Sequence, residues 1–277
     1  MVPFKKDESN DRGRFMSEYL EICEKAARIG GAILREMLGN VWVREKKRAD
    51  LVTEADFAAQ KAIRDTVLEA FSDHAFLGEE TDPDLPNPLT DGSHEFCWVV
   101  DPLDGTTNFV HHVPLFASSV ALVRHGREIL CGTVYNPMFD ECFCAAVGKG
   151  AFLNNRPIHV SPVTEISESL ASVSFPTLTQ PDSPDLHAFL KLLPLAQAIR
   201  RTGSTAINMA YVAAGRFDTM ICYGANAWDV AAGTILVREA GGIVTAPDGT
   251  AFNLANGKTL SSSTEILHQN ILALINS

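Results

Sequence analysis

The sequence predicts a protein of two packed lobes, each layering helices on a sheet, a mixed α+β and α/β architecture. Three observations predict it. Apolar or small residues recur at alternating steps of three and four between Phe15 and Leu38, one stripe of an amphipathic helix. From Leu115 to Phe152 short β-rich segments separated by turns read as a meander. Beyond residue 184 the pattern becomes strand–helix alternation. Meander first and alternation second divides a single domain, 14–277, into lobes of about 14–160 (α+β, with the meander sheet) and about 161–277 (α/β).

The elements follow in order. Residues 1–13 are polar and mixed in charge and read as a flexible leader; they lack the roughly 7–15-residue apolar core of a secretory signal. Leu20, Cys23, Ala27, Gly30, Leu34 and Met37 line the first helix. The basic stretch Arg44, Lys46, Lys47 and Arg48 reads as a solvated loop or strand, the other reading being a mobile arm that closes over an anion. Asp50-Leu-Val-Thr-Glu-Ala-Asp56 leads into a second helix ending near Phe71. A short strand, Ala75–Leu77, a Pro-rich polar loop and a buried strand, Phe96–Val100, come next. The meander turns at His125-Gly126, Asn136-Pro137 and Gly148-Lys149-Gly150. After a polar section around 174–184, helices are expected at 205–215, 229–240 and 264–275, with strands near 170–175, 218–222 and 243–246.

Composition narrows the function. With 277 residues the chain can bury about three quarters of its unfolded surface. Its 34 acidic against 23 basic residues give a net charge of −11, which argues against nucleic acid or a membrane surface as partner, both being negative. No stretch approaches the roughly 18 apolar residues of a membrane span. Six scattered cysteines form no CxxC pair, Cys142 and Cys144 reading as one face of a strand, and a reducing cytoplasm fits them. The chain has no GxGxxG, P-loop, HExxH, GxSxG or EF-hand ladder.

What remains is carboxylates at structural transitions. Asp101-Pro-Leu-Asp104-Gly-Thr-Thr-Asn-Phe109 follows directly on a strand, a favoured place for a ligand site in layered sheets. Pro102 stiffens the turn so that Asp101 and Asp104 can converge, Gly105 admits close backbone approach, and Thr106 and Thr107 can open a helical turn whose free N–H groups face an anion. Hard oxygen ligands beside backbone donors suit metal-assisted phosphoryl transfer. Gly78-Glu79-Glu80 ends a strand in the same manner, and Trp228-Asp229-Val-Ala-Ala-Gly233 opens an apolar helix. Taken singly, Asp229 reads as a plain N-cap, Glu79 as a solvated turn residue, and Asp101 with Asp104 as an Asx-type turn.

In that order and spacing these three motifs resemble the inositol monophosphatase family of lithium-sensitive, magnesium-dependent phosphatases. Asp50–Asp56, Gly203-Ser-Thr and Glu239-Ala-Gly-Gly242 also match, so the resemblance covers about residues 15–275. It implies a layered α/β/α/β/α sandwich of the inositol monophosphatase and fructose-1,6-bisphosphatase type, with metals between the lobes. Glu79, Asp101 and the Leu103 carbonyl would hold one Mg²⁺; Asp101, Asp104 and Asp229 would hold a second; a third, looser ion would lean on Glu79. Glu79 and Thr106, the latter oriented by Asp56, would position and deprotonate the attacking water, and the Gly105 and Thr106 amides would bind phosphate. Gly203, Ser204, Thr205, Cys222 and Asn226 are the expected leaving-group contacts, and a homodimer is the family's common assembly.

The implied activity is Mg²⁺-dependent hydrolysis of a small phosphate monoester, inositol monophosphate first, by in-line displacement. Two departures qualify it. Inositol-selective members carry a glutamate seven residues before the site Asp229; here Cys222 stands there, and a thiol is a poor acceptor for a polyol. A basic side chain that closes the site in relatives falls near Glu45 or Lys46. Thr-Thr-Asn after Asp-Gly favours the inositol phosphatase branch over bisphosphate nucleotidases. Histidinol phosphate and broad sugar-phosphate hydrolysis stay open, as does a regulatory binding protein that keeps the fold.

Overall fold

Trp98, Val100, Val120 and Leu122 turn to one face of a sheet, and Cys97, Val99, Ala121 and Val123 to the other, each set inside its own apolar core. A strand buried on both faces reads as a continuous apolar run, as both of these do. The protein, in a computed structural model that describes residues 8–47 and 50–277, begins with α1 (Glu8–Met37), the paired strands β1 (Val43–Lys47) and β2 (Asp50–Thr53), and α2 (Glu54–Ala70). Then come β3 (Ala75–Gly78), β4 (Phe96–Asp104), the one-turn α3 (Thr106–Val110), β5 (Ala117–Arg124), β6 (Glu128–Asn136), β7 (Glu141–Ala146), β8 (Gly150–Leu153) and β9 (Arg156–Ile158). The remainder is β10 (Leu170–Ser174), α4 (Pro184–Leu192), β11 (Ala198–Arg200), α5 (Thr205–Ala213), β12 (Thr219–Cys222), α6 (Ala227–Glu239), β13 (Ile243–Thr245), β14 (Thr259–Ser262) and α7 (Glu265–Ile275).

Strands β3 to β9 form a seven-stranded sheet in sequence order, antiparallel except for the parallel pair β3–β4. The second sheet has five strands in the order β11-β10-β12-β14-β13. Helices α1 and α2 cover the outer face of the first sheet through Cys23, Ala26, Ile63 and Val67. Between the sheets lie α5 and α6, and α6 is buried from Val230 to Val237 because both its sides meet a sheet. Helices α4 and α7 cover the second sheet with Ala188, Leu192, Leu267 and Ile271. The result is a five-layer α/β/α/β/α sandwich.

Local differences from the sequence reading have physical causes. Helix α1 starts at Glu8, inside the segment read as a leader, while residues 1–7 lie outside the described residues. Strand β4 runs past Val100 to Asp104, so the two aspartates lie in the strand rather than after it. Strand β14 is not among the expected strands, its Thr-Leu-Ser-Ser being polar, yet it is buried and Thr219 Oγ1 donates to the Ser261 carbonyl at 2.9 Å. Helix α4 is only nine residues, opened by Pro184 inside a segment read as polar.

Candidate active site

The ladder between β4 and β5 slips where the site begins. Asp101 faces Ser119 and Asp104 faces Ala117, so two residues, Pro102 and Leu103, stand against one. Proline, with no N–H to offer a ladder, suits the irregularity. The Leu103 N–H donates instead to Asp101 Oδ1 at 3.0 Å, the Asx-type turn that the sequence allowed. Gly105 follows at φ +97°, and a Cβ there would sit 3.0 Å from the Leu115 carbonyl oxygen. Thr106 thereby opens α3 with its hydroxyl 3.1 Å from the Leu103 carbonyl and 3.4 Å from Asp56 Oδ1.

Asp56 reaches Thr106 from the start of α2. It is the third residue of a capping box: Oδ2 accepts from the Thr53 N–H at 2.8 Å and hydroxyl at 2.7 Å, leaving Oδ1 for Thr106. The carboxylate is fully buried. Glu79, half-buried in the turn after β3, is tied to β4 by its N–H to the Val100 carbonyl at 3.1 Å.

Two helix N-termini, those of α5 and α6, meet this edge. Ser204 caps α5 by accepting from the Ile207 N–H at 3.2 Å and donates its own proton to Asp104 Oδ2 at 2.5 Å. The Ala206 N–H donates to the same oxygen at 2.6 Å, and the Thr205 N–H to Oδ1 at 3.2 Å. A carboxylate of the first sheet therefore caps helix α5. Asp229 stands in the first turn of α6, where it accepts from the Asn226 N–H at 2.7 Å.

These carboxylates press on one another. Burial, then Glu79, Asp104, Asp229 and Asp56, push Asp101 well above the usual carboxylate range. Burial raises Asp104 to about 6 against the pull of Ser204, Ala206 and Thr205, and raises Asp229 to about 8 with help from Asp104 and Glu79. Among the described residues no three His, Cys, Asp or Glu side chains stand together as a group that could hold a metal ion. By chemistry the set fits a hard divalent cation: buried carboxylates and a backbone carbonyl, with other carboxylates as the main charged influences on Asp101.

A profile of the inositol monophosphatase family matches residues 16–277. The chain belongs to the inositol monophosphatase family. The inositol-1-monophosphatase of Synechocystis sp. is 40% identical over 259 residues, covering 92% of this chain and 88% of that protein. The Nus factor SuhB of Pseudomonas aeruginosa is 39% identical, covering 90% and 93%. The solved structure of inositol monophosphatase from Anabaena superposes with a TM-score of 0.82 at 37% identity, covering 94% of this chain and 96% of that one.

Within the family fold, the residues singled out in the sequence divide into three groups. Asp56, Glu79, Asp101, Leu103, Asp104, Gly105, Thr106 and Asp229 come together at the β3–β4 edge and the α6 N-terminus. Ser204, buried, spends its proton on Asp104 and accepts the Ile207 N–H, so it braces a carboxylate. Thr205 likewise supplies its N–H to Asp104, while its hydroxyl donates to Ser174 Oγ at 3.1 Å. Gly203 lies in a turn against the Asn108 amide, which donates to the Thr202 and Leu115 carbonyls. Asn226, not Asp229, occupies the N-cap of α6.

Cys222 ends β12 only 2% exposed, its thiol pushed up to about 12 by burial. Arg44 and Glu45, exposed on β1, line a cleft of about 1160 Å³ that also takes in Glu79, Asn226 and Trp228. The side chains of Lys46 and Lys47, and all of Arg48, lie outside the described residues. Among the described residues no helix is long and apolar enough to cross a membrane. Two contributors escaped the sequence reading. The Ala206 N–H has no side-chain signature, whereas Gln60 falls one helical turn after Asp56 and was open to discovery by periodicity.

Proposed function

We propose that the protein is a Mg²⁺-dependent phosphomonoesterase acting on a small phosphorylated metabolite, with inositol monophosphate as first substrate. The observation that carries the reading is the meeting of the buried Asp101 and Asp104 with the half-buried Asp229 and Glu79, close enough that Glu79, Asp104 and Asp229 all push Asp101 upward, next to the Thr106–Asp56 pair. Glu79, Asp101 and the Leu103 carbonyl would hold one Mg²⁺; Asp101, Asp104 and Asp229 a second; a third would lean on Glu79. When bound, the ions supply positive charge against the phosphoryl oxygens and lower the pKa of water.

The chain's own groups do the rest. Thr106 has one hydroxyl proton, directed to the Leu103 carbonyl and Asp56, so its oxygen lone pair is free in direction to accept from an attacking water. Glu79 takes the other proton as general base. The Gly105 and Thr106 N–H groups, which no helical carbonyl can reach at the start of α3, donate to the phosphate. Asp104, braced by α5, keeps its carboxylate in place as the leaving oxygen departs in line with the attack.

At the leaving-group end Cys222 favours a broader range, histidinol phosphate and sugar phosphates included, because a buried thiol offers a polyol little. The 39% identity to a Nus factor supports a third reading, a regulatory binding protein on the same fold. Six free, buried cysteines support a cytoplasmic enzyme, and a homodimer is the assembly to expect in sedimentation. Phosphate release with Mg²⁺ across inositol monophosphate, histidinol phosphate, fructose 1,6-bisphosphate and 3′-phosphoadenosine 5′-phosphate tests the three. Turnover of the first is expected; no turnover of any leaves the binding role.

A further inference from the structure

The turn that carries Glu79 has four successive N–H groups, and each has a partner. Gly78 donates to Thr81 Oγ1 at 3.1 Å, Glu79 to the Val100 carbonyl at 3.1 Å, and Thr81 to the Gly78 carbonyl at 3.1 Å. Those three partners belong to the turn or to β4. The fourth does not: the Glu80 N–H donates to Gln60 Oε1 of α2 at 2.9 Å. Gln60 gains its approach because Gly78 has no side chain, a Cβ there colliding with the Gln60 amide.

Gln60 lies four residues after Asp56, and residues at that spacing stand one above the other on a helix. Asp56 holds Thr106 through Oδ1, and Gln60 holds the Glu79–Glu80 turn through Oε1. Helix α2 cannot shift easily beneath them. Its first turn is closed by the Thr53–Asp56 capping box, and Ala55, Ala59, Ile63 and Val67 are fully buried. We propose that Gln60 is the positioning residue for Glu79, and that α2, through Asp56 and Gln60, fixes the separation of Glu79 and Thr106 across the attacking water. The catalytic half of this assignment rests on the proposed hydrolase reading, whereas the bracing of the turn does not.

The test uses the full chain with Gln60→Leu, which keeps the shape and removes the acceptor, Gln60→Glu, which keeps an acceptor, and Lys61→Ala on the exposed face as control. Three readouts apply: exchange of the Glu80 amide by nuclear magnetic resonance, Mg²⁺ affinity by calorimetry, and kcat for phosphate release. Gln60→Leu should speed Glu80 exchange, weaken Mg²⁺ binding and lower kcat, each about tenfold, the scale of one lost hydrogen bond. Its Tm should stay near that of the parent, and Gln60→Glu should restore exchange and most of kcat. Unchanged Glu80 exchange and Mg²⁺ affinity in Gln60→Leu would overturn the assignment, as would a lowered Tm with no rescue by Gln60→Glu. A parent protein that hydrolyses no phosphomonoester would overturn the hydrolase reading alone, with exchange and calorimetry still deciding whether Gln60 braces the turn.

Discussion

Around Asp101, helix α2 reaches by side-chain hydrogen bonds to α3 and to the turn after β3, whereas Cys222, at the end of β12, is a thiol buried in the core between the sheets. On the first side, Asp56 ties Thr53 to Thr106, and Asp101 turns the backbone at Leu103. On the second, the polar effort goes into gripping Asp104 and placing Asp229, and Cys222 stays in the core between the sheets. The contrast separates two tasks. In the proposed reading the phosphate end needs fixed charge and fixed donors whatever the substrate, so its geometry is over-determined. The leaving-group end decides among substrates, where one side chain can shift the outcome.

The largest break in this contrast is expected from Asp104→Asn. It removes a proposed metal ligand together with the carboxylate that caps α5. Phosphate release should fall by at least about a thousandfold, the scale of losing central electrostatic stabilisation. A thermal melt should report a loss on the order of 1 kcal/mol, the worth of a carboxylate at a helix N-terminus. Activity near that of the parent would remove Asp104 from the site.

Thr106→Ala comes next. Losing the group that orients and accepts from water should cost about a hundredfold in kcat, within the range for acid–base groups. Thr106→Ser, which keeps the hydroxyl, should recover most of it. A fully active alanine variant would place the attacking water elsewhere.

Cys222→Glu probes the other side and should act on preference rather than rate. Adding an acceptor for ring hydroxyls should move selectivity toward inositol phosphate by roughly tenfold, the scale of one specificity contact. An unchanged substrate profile would take Cys222 out of the pocket.

The smallest effect is a pH dependence of stability in metal-free protein. Asp104 and Asp229 rise from 3.8 to about 6 and about 8 on folding, so their stabilising contribution is fully present below about pH 3.8 and is lost as pH climbs through 6 and 8. Mg²⁺ competes with those protons. It should therefore raise Tm more at pH 8 than at pH 5, and an equal rise at both would contradict the coupling.

The same contrast explains what was legible in the sequence. Asp101, Asp104, Glu79 and Asp229 mark strand and helix ends in short motifs, so their candidacy could be read from one chain, whereas their meeting at one site came through the family resemblance. The layers could be read only through the resemblance, because alternation and helical stripes say which faces are apolar and not which face meets which. Strand β14 hid behind Thr-Leu-Ser-Ser, since polar residues read as a loop until the antiparallel pairing with β12 and β13 shows them buried in a sheet. That the Ser204 hydroxyl joins Asp104 to the Ile207 N–H is not legible in the sequence, because the pairing spans about a hundred residues. Backbone donors such as the Ala206 N–H carry no residue signature at all.

The most direct test of the carboxylate cage is phosphate release from inositol monophosphate by one preparation with Mg²⁺, after chelation, and after Mg²⁺ is restored. The account predicts turnover, its loss, and its return. Equal release in all three conditions would contradict it.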